Sequence, residues 1–144
     1  MHYKIMIILS LMLCNAYGKC LSQNFDSVHV YAVYMKSMYR VKIDKDLIKN
    51  EVDPIVLTDK KRTNAVHTIL ADTVKGNLIK KLTSNQLDIR LSFEFFENGK
   101  ASQTIGVTPQ KEMFIDYTLY EYDKEKLKYL DKYIDGLSKI LGIK

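Results

Sequence analysis

The clearest alternation of apolar and polar residues predicts a β-hairpin over residues 87–107. Residues 87–95 alternate between the two kinds with a period of two, as a half-buried strand does. Asn98-Gly99 follows, a dipeptide that fits a two-residue type I′ turn because both residues tolerate positive φ. Residues 101–107 then form the returning strand, and Thr108-Pro109-Gln110 makes the next turn.

Three further segments have the character of strands. Ser27–Met35 and Met38–Ile43 are rich in β-branched and aromatic residues, and Lys36-Ser37 between them predicts a tight turn. Met113–Tyr120 alternates between apolar and polar residues. With the two strands of the hairpin, these segments predict a sheet of about five strands.

Two helices are predicted in the middle of the chain. Asp44 is placed to cap a short helix over residues 45–50, because its carboxylate accepts hydrogen bonds from the free amides of the first turn. A long helix is predicted over residues 58–82, with Thr58 as its cap and Asp59 at its positive end. Its apolar residues lie on or near one stripe: Val66, Ile69, Leu70, Val74, Leu78, Ile79 and Leu82.

A final helix is predicted from a cap at Asp123 to about Leu141. Its apolar residues are spaced by threes and fours: Leu127, Leu130, Ile134, Leu137 and Leu141. The element order is therefore β-β-α-α-β-β-β-α. This order predicts an α+β fold, in which the long central helix and the C-terminal helix pack on one face of an antiparallel sheet.

The first 18 residues predict a cleavable signal peptide. Lys4 supplies a positive charge, Ile5–Cys14 is almost wholly apolar, and small residues precede a cleavage point after Gly18. Ten residues of helix reach only about 15 Å, half of a bilayer core of about 30 Å, so no integral membrane span is predicted. The alternative is a buried N-terminal strand or helix.

Cleavage after residue 18 leaves a single domain over residues 19–144 in a secreted or periplasmic protein. Neither Cys14 nor Cys20 follows the small residue that a lipoprotein signal requires, so no lipid anchor is expected. Cys20 is then the one remaining cysteine, so no internal disulfide is predicted and the hydrophobic core must stabilise the domain.

The positive charge of the chain does not indicate nucleic-acid binding. The sequence has 22 basic and 17 acidic residues, and the basic residues are spread along the chain. Nineteen of the basic residues are lysines, whereas proteins that read bases and phosphates rely on the planar fork of arginine. We therefore expect no nucleic-acid partner.

Residues able to carry catalysis or bind a metal are few. His29 and His67 are the only histidines after the signal segment, and no metal-binding or cofactor-binding motif occurs, so no metal and no cofactor are predicted. Asp88, Arg90 and Glu94 share the polar side of one predicted strand with Ser92. Such a row either binds a ligand, pairs carboxylates across a cleft, or forms the solvated face of the sheet.

Tyrosine is the enriched side chain, since eight of ten tyrosines follow the signal segment. Tyrosine suits protein-binding surfaces because it offers a large contact area and a hydrogen-bonding tip. Tyr120 and Tyr122 lie on one side of the last strand, and Tyr129 and Tyr133 are four apart on the last helix. These four are the candidate binding residues; alternatively, the tyrosines mostly edge the core.

Two classes of function fit the sequence. The first is a non-enzymatic protein-binding module that acts on another protein, similar in size to inhibitors and immunity proteins. The second is a small-ligand-binding or hydrolytic domain that uses carboxylates and tyrosines in a pocket. The sequence leaves open whether the protein is an enzyme.

Overall fold

The computed structural model describes residues 24–34, 41–81, 87–110 and 112–142, and it confirms the α+β class. The predicted signal peptide, Cys20 and the predicted turn at residues 36–37 lie outside the described residues. The helices are α1 (Ile48–Glu51), α2 (Lys60–Thr73), a 3₁₀ helix (Lys124–Lys132) and α3 (Leu137–Leu141).

One antiparallel sheet of seven strands organises the described part of the chain, so the predicted number of five was too low. The strand order is β2-β1-β4-β5-β6-β7-β3, and every neighbouring pair is antiparallel. The strands are β1 (Ser27–Ala32), β2 (Ile55–Leu57), β3 (Val74–Lys81), β4 (Leu91–Glu97), β5 (Lys100–Val107), β6 (Glu112–Ile115) and β7 (Thr118–Tyr122).

The predicted hairpin at Asn98-Gly99 is confirmed. The two residues have φ angles of 53° and 73°, and they join β4 to β5. A Cβ atom built on Gly99 would meet no atom within 4 Å, so the preference for glycine comes from the backbone angle alone. This turn sets the register of the two central strands.

The predicted strand Met113–Tyr120 is instead a second hairpin, β6–β7, with Asp116-Tyr117 at its turn. Asp116 has a φ of 52°. Its carboxylate accepts a hydrogen bond from the Thr104 N–H at 3.1 Å, and its own N–H donates to the Thr104 carbonyl at 2.9 Å. These hydrogen bonds to β5 stabilise a turn that the alternation of apolar and polar residues did not predict.

The long predicted helix is correct in its first half only. Its cap is Asp59 and not the predicted Thr58, since the Asp59 carboxylate accepts a hydrogen bond from the Arg62 N–H at 2.7 Å. After Thr73 the chain becomes β3, which pairs with β7 through Val74 and Tyr122. Gly76 has a φ of 76°, which lies outside the helical region. The edge of β7 provides hydrogen-bond partners for β3. Because β7 is distant in the sequence, a local pattern cannot predict this pairing.

The short helix α1 begins later than predicted, at Ile48, with Leu47 as its N-cap and without a side-chain cap. Asp44 instead stabilises the turn before it, where its carboxylate accepts hydrogen bonds from the N–H groups of Asp46 and Leu47. The predicted strand Met38–Ile43 is not a strand in its described residues, 41–43. Ile43 is held instead by the Ile89 N–H, which donates to its carbonyl at 2.6 Å.

The C-terminal helix is divided into two helices, contrary to the prediction of one. Asp123 caps the 3₁₀ helix, because its carboxylate accepts a hydrogen bond from the Glu125 N–H at 3.1 Å. A turn that ends at Gly136 separates this helix from α3. All five apolar residues predicted to face the core are nevertheless buried: Leu127, Leu130, Ile134, Leu137 and Leu141.

Each face of the sheet carries its own hydrophobic cluster. The inner face packs against α2, the 3₁₀ helix and α3, and its buried side chains include Phe25, Phe93, Phe95, Leu70, Leu91, Met113 and Leu127. The outer face packs against α1 and the segment that precedes it, with Tyr31, Val33, Ile43, Ile48, Ile89, Phe114 and Leu119. The sheet therefore has a second covered face, which the sequence pattern did not indicate.

This second layer changes the environment of the predicted polar row, of which Ser92 and Glu94 lie on β4 and Asp88 and Arg90 precede it. Arg90 and Ser92 are buried, so the expectation of a solvated face is wrong for both. Arg90 is paired with Asp88, whose carboxylate lies 2.7 Å from the guanidinium. Glu94 is paired with Lys49 at the same distance. Each carboxylate is therefore paired with a cation.

Candidate functional site

The 3₁₀ helix presents one row of exposed side chains, Lys126, Tyr129 and Lys132. A 3₁₀ helix has three residues per turn, so residues three apart lie on the same side. Leu127 and Leu130 occupy the side that packs into the inner core. The three exposed residues therefore form a straight line along the helix, which we call the Lys–Tyr–Lys row.

A groove of about 290 Å³ runs beside this row, between the 3₁₀ helix and α2. Its lining residues are Ile69 and Asp72 from α2 with Lys126 and Tyr129 from the row. The Lys126 ammonium donates a hydrogen bond to the Asp72 carbonyl at 3.0 Å, at the C-terminal end of α2. A cation is favoured there, because the last carbonyls of a helix carry partial negative charge. This bond fixes one end of the row against α2.

Further cations lie beside Tyr129 and Tyr133. The Lys128 ammonium lies 5.9 Å from the centre of the Tyr129 ring, and the Lys132 ammonium lies 5.8 Å from the centre of the Tyr133 ring. The Arg62 guanidinium donates to the Tyr133 carbonyl at 2.9 Å, which ties the start of α2 to the end of the 3₁₀ helix. The surface is thus both aromatic and basic.

The four predicted binding tyrosines do not form one patch. Tyr129 is 61% exposed and lines the groove, whereas Tyr133 is half-buried against the inner core. Tyr122 is only 3% exposed, and burial raises the pKa of its phenol to about 12 because the charged form loses hydration. Tyr120 is half-buried on β7, opposite Met113. Of the four, Tyr129 is the one that a partner can reach fully.

Helical period explains why the predicted pair Tyr129 and Tyr133 is separated. Residues four apart share a face of an α-helix, but in a 3₁₀ helix they differ by about 120°. The residues that join Tyr129 are therefore Lys126 and Lys132, neither of which was among the predicted binding residues. Their spacing of three is also compatible with an α-helix, so no local signal in the sequence distinguishes this geometry.

The second described cavity is smaller. It has a volume of about 80 Å³ and lies at the β6–β7 turn, where its lining includes Asp116 and Tyr117. Small-molecule sites usually have volumes of about 300–1,000 Å³, so this cavity is too small for such a site. Within residues 24–34, 41–81, 87–110 and 112–142, no three His, Cys, Asp or Glu side chains are grouped to hold a metal ion.

His67 joins α2 to the sheet at a half-buried position. Its Nε2 atom lies 2.8 Å from the Gln103 side-chain oxygen, and its ring lies 4.8 Å from Phe25 and 5.1 Å from Phe95, between ring centres. Burial lowers the pKa of His67, because the imidazolium loses hydration, and the hydrogen bond to Gln103 offsets only part of this effect. The environment indicates a packing role for the neutral imidazole.

The lowered pKa of His67 predicts a loss of stability in acid. Above pH 6.5 both the folded and the unfolded chain hold a neutral His67, and its packing contributes fully. Below pH 6.5 the unfolded chain takes up the proton first, so the free energy of unfolding falls, by at most about 1.4 kcal/mol per pH unit. Urea unfolding between about pH 7 and pH 5 measures this, with His67→Gln as the non-titrating reference. Parallel pH curves for the two proteins would contradict the prediction.

Comparison with known proteins found no matching family model, curated protein or solved structure. In the described part of the chain, no helix combines the length and the apolar character needed to cross a membrane. Fold and surface together define the class: an α+β domain with a covered antiparallel sheet and a basic, aromatic surface on its helical layer.

Proposed function

We propose that this chain is an exported, non-enzymatic protein-binding domain of the inhibitor or immunity-protein kind. Its contact surface is the Lys–Tyr–Lys row together with the groove beside it. The single observation that carries the proposal is the position of Tyr129, a large aromatic side chain that is mostly exposed at the edge of a groove.

Exposure of Tyr129 leaves binding energy available to a partner. An aromatic side chain buries about 150–250 Å² when it is covered, and tyrosine loses little conformational entropy because it has few rotatable bonds. Its backbone is held by the burial of Leu127 and Leu130 on the opposite side of the same helix. A partner that covers Tyr129 therefore gains apolar contact without having to order the helix first.

The experiment that tests this proposal compares two tyrosines of similar exposure. Tyr129 is 61% exposed beside the groove, and Tyr117 is 69% exposed at the β6–β7 turn. A partner is first captured from the native extract and purified, and its Kd is then measured by calorimetry. Tyr129→Ala is expected to weaken binding by about 2 kcal/mol, or about 30-fold, because truncation of a central aromatic contact typically costs this much.

Tyr117→Ala is the matched control, and it is expected to leave the Kd unchanged. The melting temperatures of both variants show whether each remains folded. Equal Kd values for the wild-type protein and Tyr129→Ala would refute the contact surface. Turnover of a substrate that carboxylate variants abolish would refute the non-enzymatic function.

Export rests on the charged start, the apolar run and the small residues of the first 18 positions. The expected mature protein begins at Lys19. Intact-mass measurement of the protein recovered from outside the cytoplasm tests this, and a mass that retains residues 5–14 would contradict it.

A further inference from the structure

The exposed side of the 3₁₀ helix carries mainly positive charge. Of its five exposed residues, three are lysines, one is Tyr129 and one is Glu125. Asp131 on the same helix is already engaged, since its carboxylate accepts hydrogen bonds from the N–H and the hydroxyl of Ser138. The surface therefore favours a negatively charged partner.

The Lys–Tyr–Lys row also has a regular spacing. A 3₁₀ helix rises about 2 Å per residue, so Tyr129 lies about 6 Å along the axis from each lysine, and the two lysines lie about 12 Å apart. Tyr129, next to the groove, is thus flanked along the helix axis by one lysine on each side. The Lys126 ammonium uses one of its three donors on Asp72 and retains two for a partner.

We infer that the partner presents an acidic segment to this row, with an apolar or aromatic side chain between two carboxylates. The shortest polypeptide that meets the spacing is an extended segment of five residues, acidic at positions one and five and apolar at position three. Alternate residues of an extended chain lie on the same side, about 6–7 Å apart. The apolar side chain covers Tyr129 and enters the groove beside Ile69, while each carboxylate contacts one lysine.

This inference rests on the proposed contact surface and adds the chemistry of the partner to it. Asp72 is one of the residues that line the groove, so its negative charge disfavours a third carboxylate at the central position. The two lysines therefore attract acidic flanking residues, and Asp72 repels an acidic residue between them.

The test uses a synthetic probe, the peptide acetyl-Gly-Glu-Ser-Phe-Ser-Glu-Gly-amide, and a matched peptide in which both glutamates are glutamines. Amide chemical shifts of the ¹⁵N-labelled protein report where each peptide binds. The acidic peptide is expected to shift the amides of residues 126–132 and to lose at least about threefold in affinity when the glutamates are replaced, since exposed ion pairs contribute modestly. High salt is expected to weaken its binding, because exposed charges are screened.

Protein variants provide the second arm of the test. Lys132→Gln is expected to weaken binding of the acidic peptide, and Lys126→Gln with Lys132→Gln to weaken it further. Lys100→Gln, at the exposed β4–β5 turn, is the control and is expected to have no effect. The Lys132 side chain makes no described hydrogen bond to the backbone, so Lys132→Gln is expected to affect binding without affecting the fold. Melting temperatures of the single and the double variant check this.

Two results would overturn the inference while leaving the contact surface intact. Equal binding of the two peptides would show that the surface does not select acidic flanks. Binding of polyuridylate at the row, without binding of the peptide, would indicate a general polyanion site. The contact surface itself is judged separately, by the effect of Tyr129→Ala on the natural partner.

Discussion

Replacement of Phe95 by alanine is expected to lower the free energy of unfolding by about 3–5 kcal/mol, the usual cost of a phenylalanine-sized cavity in a core. Phe95 is fully buried on the inner face. Its ring centre lies 4.8 Å from that of Phe25 and 6.4 Å from that of Phe93, and it also contacts His67 on α2. The variant therefore removes a contact that joins the sheet to its helical layer.

Phe96→Ala is the matched control for this prediction. Phe96 is the next residue along β4, but it is half-buried on the outer face, where its ring centre lies 4.5 Å from that of His29. The expected loss is smaller, about 1 kcal/mol, because less apolar area returns to water. Urea unfolding measures both. Equal losses for the two variants would mean that the register of β4 differs from the one described.

Leu130→Ala is expected to lower the free energy of unfolding by about 2–5 kcal/mol. Leu130 is fully buried on the 3₁₀ helix, and its carbonyl accepts hydrogen bonds from the N–H groups of Tyr133 and Ile134. The hydrogen bonds of a 3₁₀ helix have poorer geometry than those of an α-helix, so its position depends strongly on packing. Loss of Leu130 therefore loosens the support of the Lys–Tyr–Lys row.

The neighbouring residue supplies the control here as well. Tyr129→Ala is expected to change the free energy of unfolding by no more than about 0.5 kcal/mol, because most of its side chain is already in water. Denaturant unfolding of both variants distinguishes the supporting residue from the contact residue. A large loss for Tyr129→Ala would show that this ring is part of the core and not a binding side chain.

Features that depend on neighbours in the sequence were predicted most closely. Asp123 caps a helix as predicted, and Asp59 caps α2 one residue after the predicted Thr58, since a carboxylate reaches the free amides of the next turn without help from the rest of the chain. The turn at Asn98-Gly99 formed for the same reason, because positive φ is a preference of the residues themselves.

The candidate site was predicted only in part. The sequence predicted Tyr129 as a binding residue but predicted the wrong neighbours for it. An α-helical period places Tyr133 beside Tyr129, whereas the 3₁₀ helix places Lys126 and Lys132 there. The order of leucines at 127 and 130 is compatible with both helices over so short a segment. Packing against the inner face decides between them.

What the sequence determined by itself was therefore the α+β class, the cap at Asp123, one hairpin and the apolar residues of the last helices. The tertiary structure alone decided that residues 74–81 form a strand, that residues 55–57 pair with β1, and that the polar side of β4 is covered. The physical reason is the range of the interactions. Caps and turns are satisfied within four residues, whereas a strand needs a partner distant in the sequence, and that partner exists only once the sheet has formed.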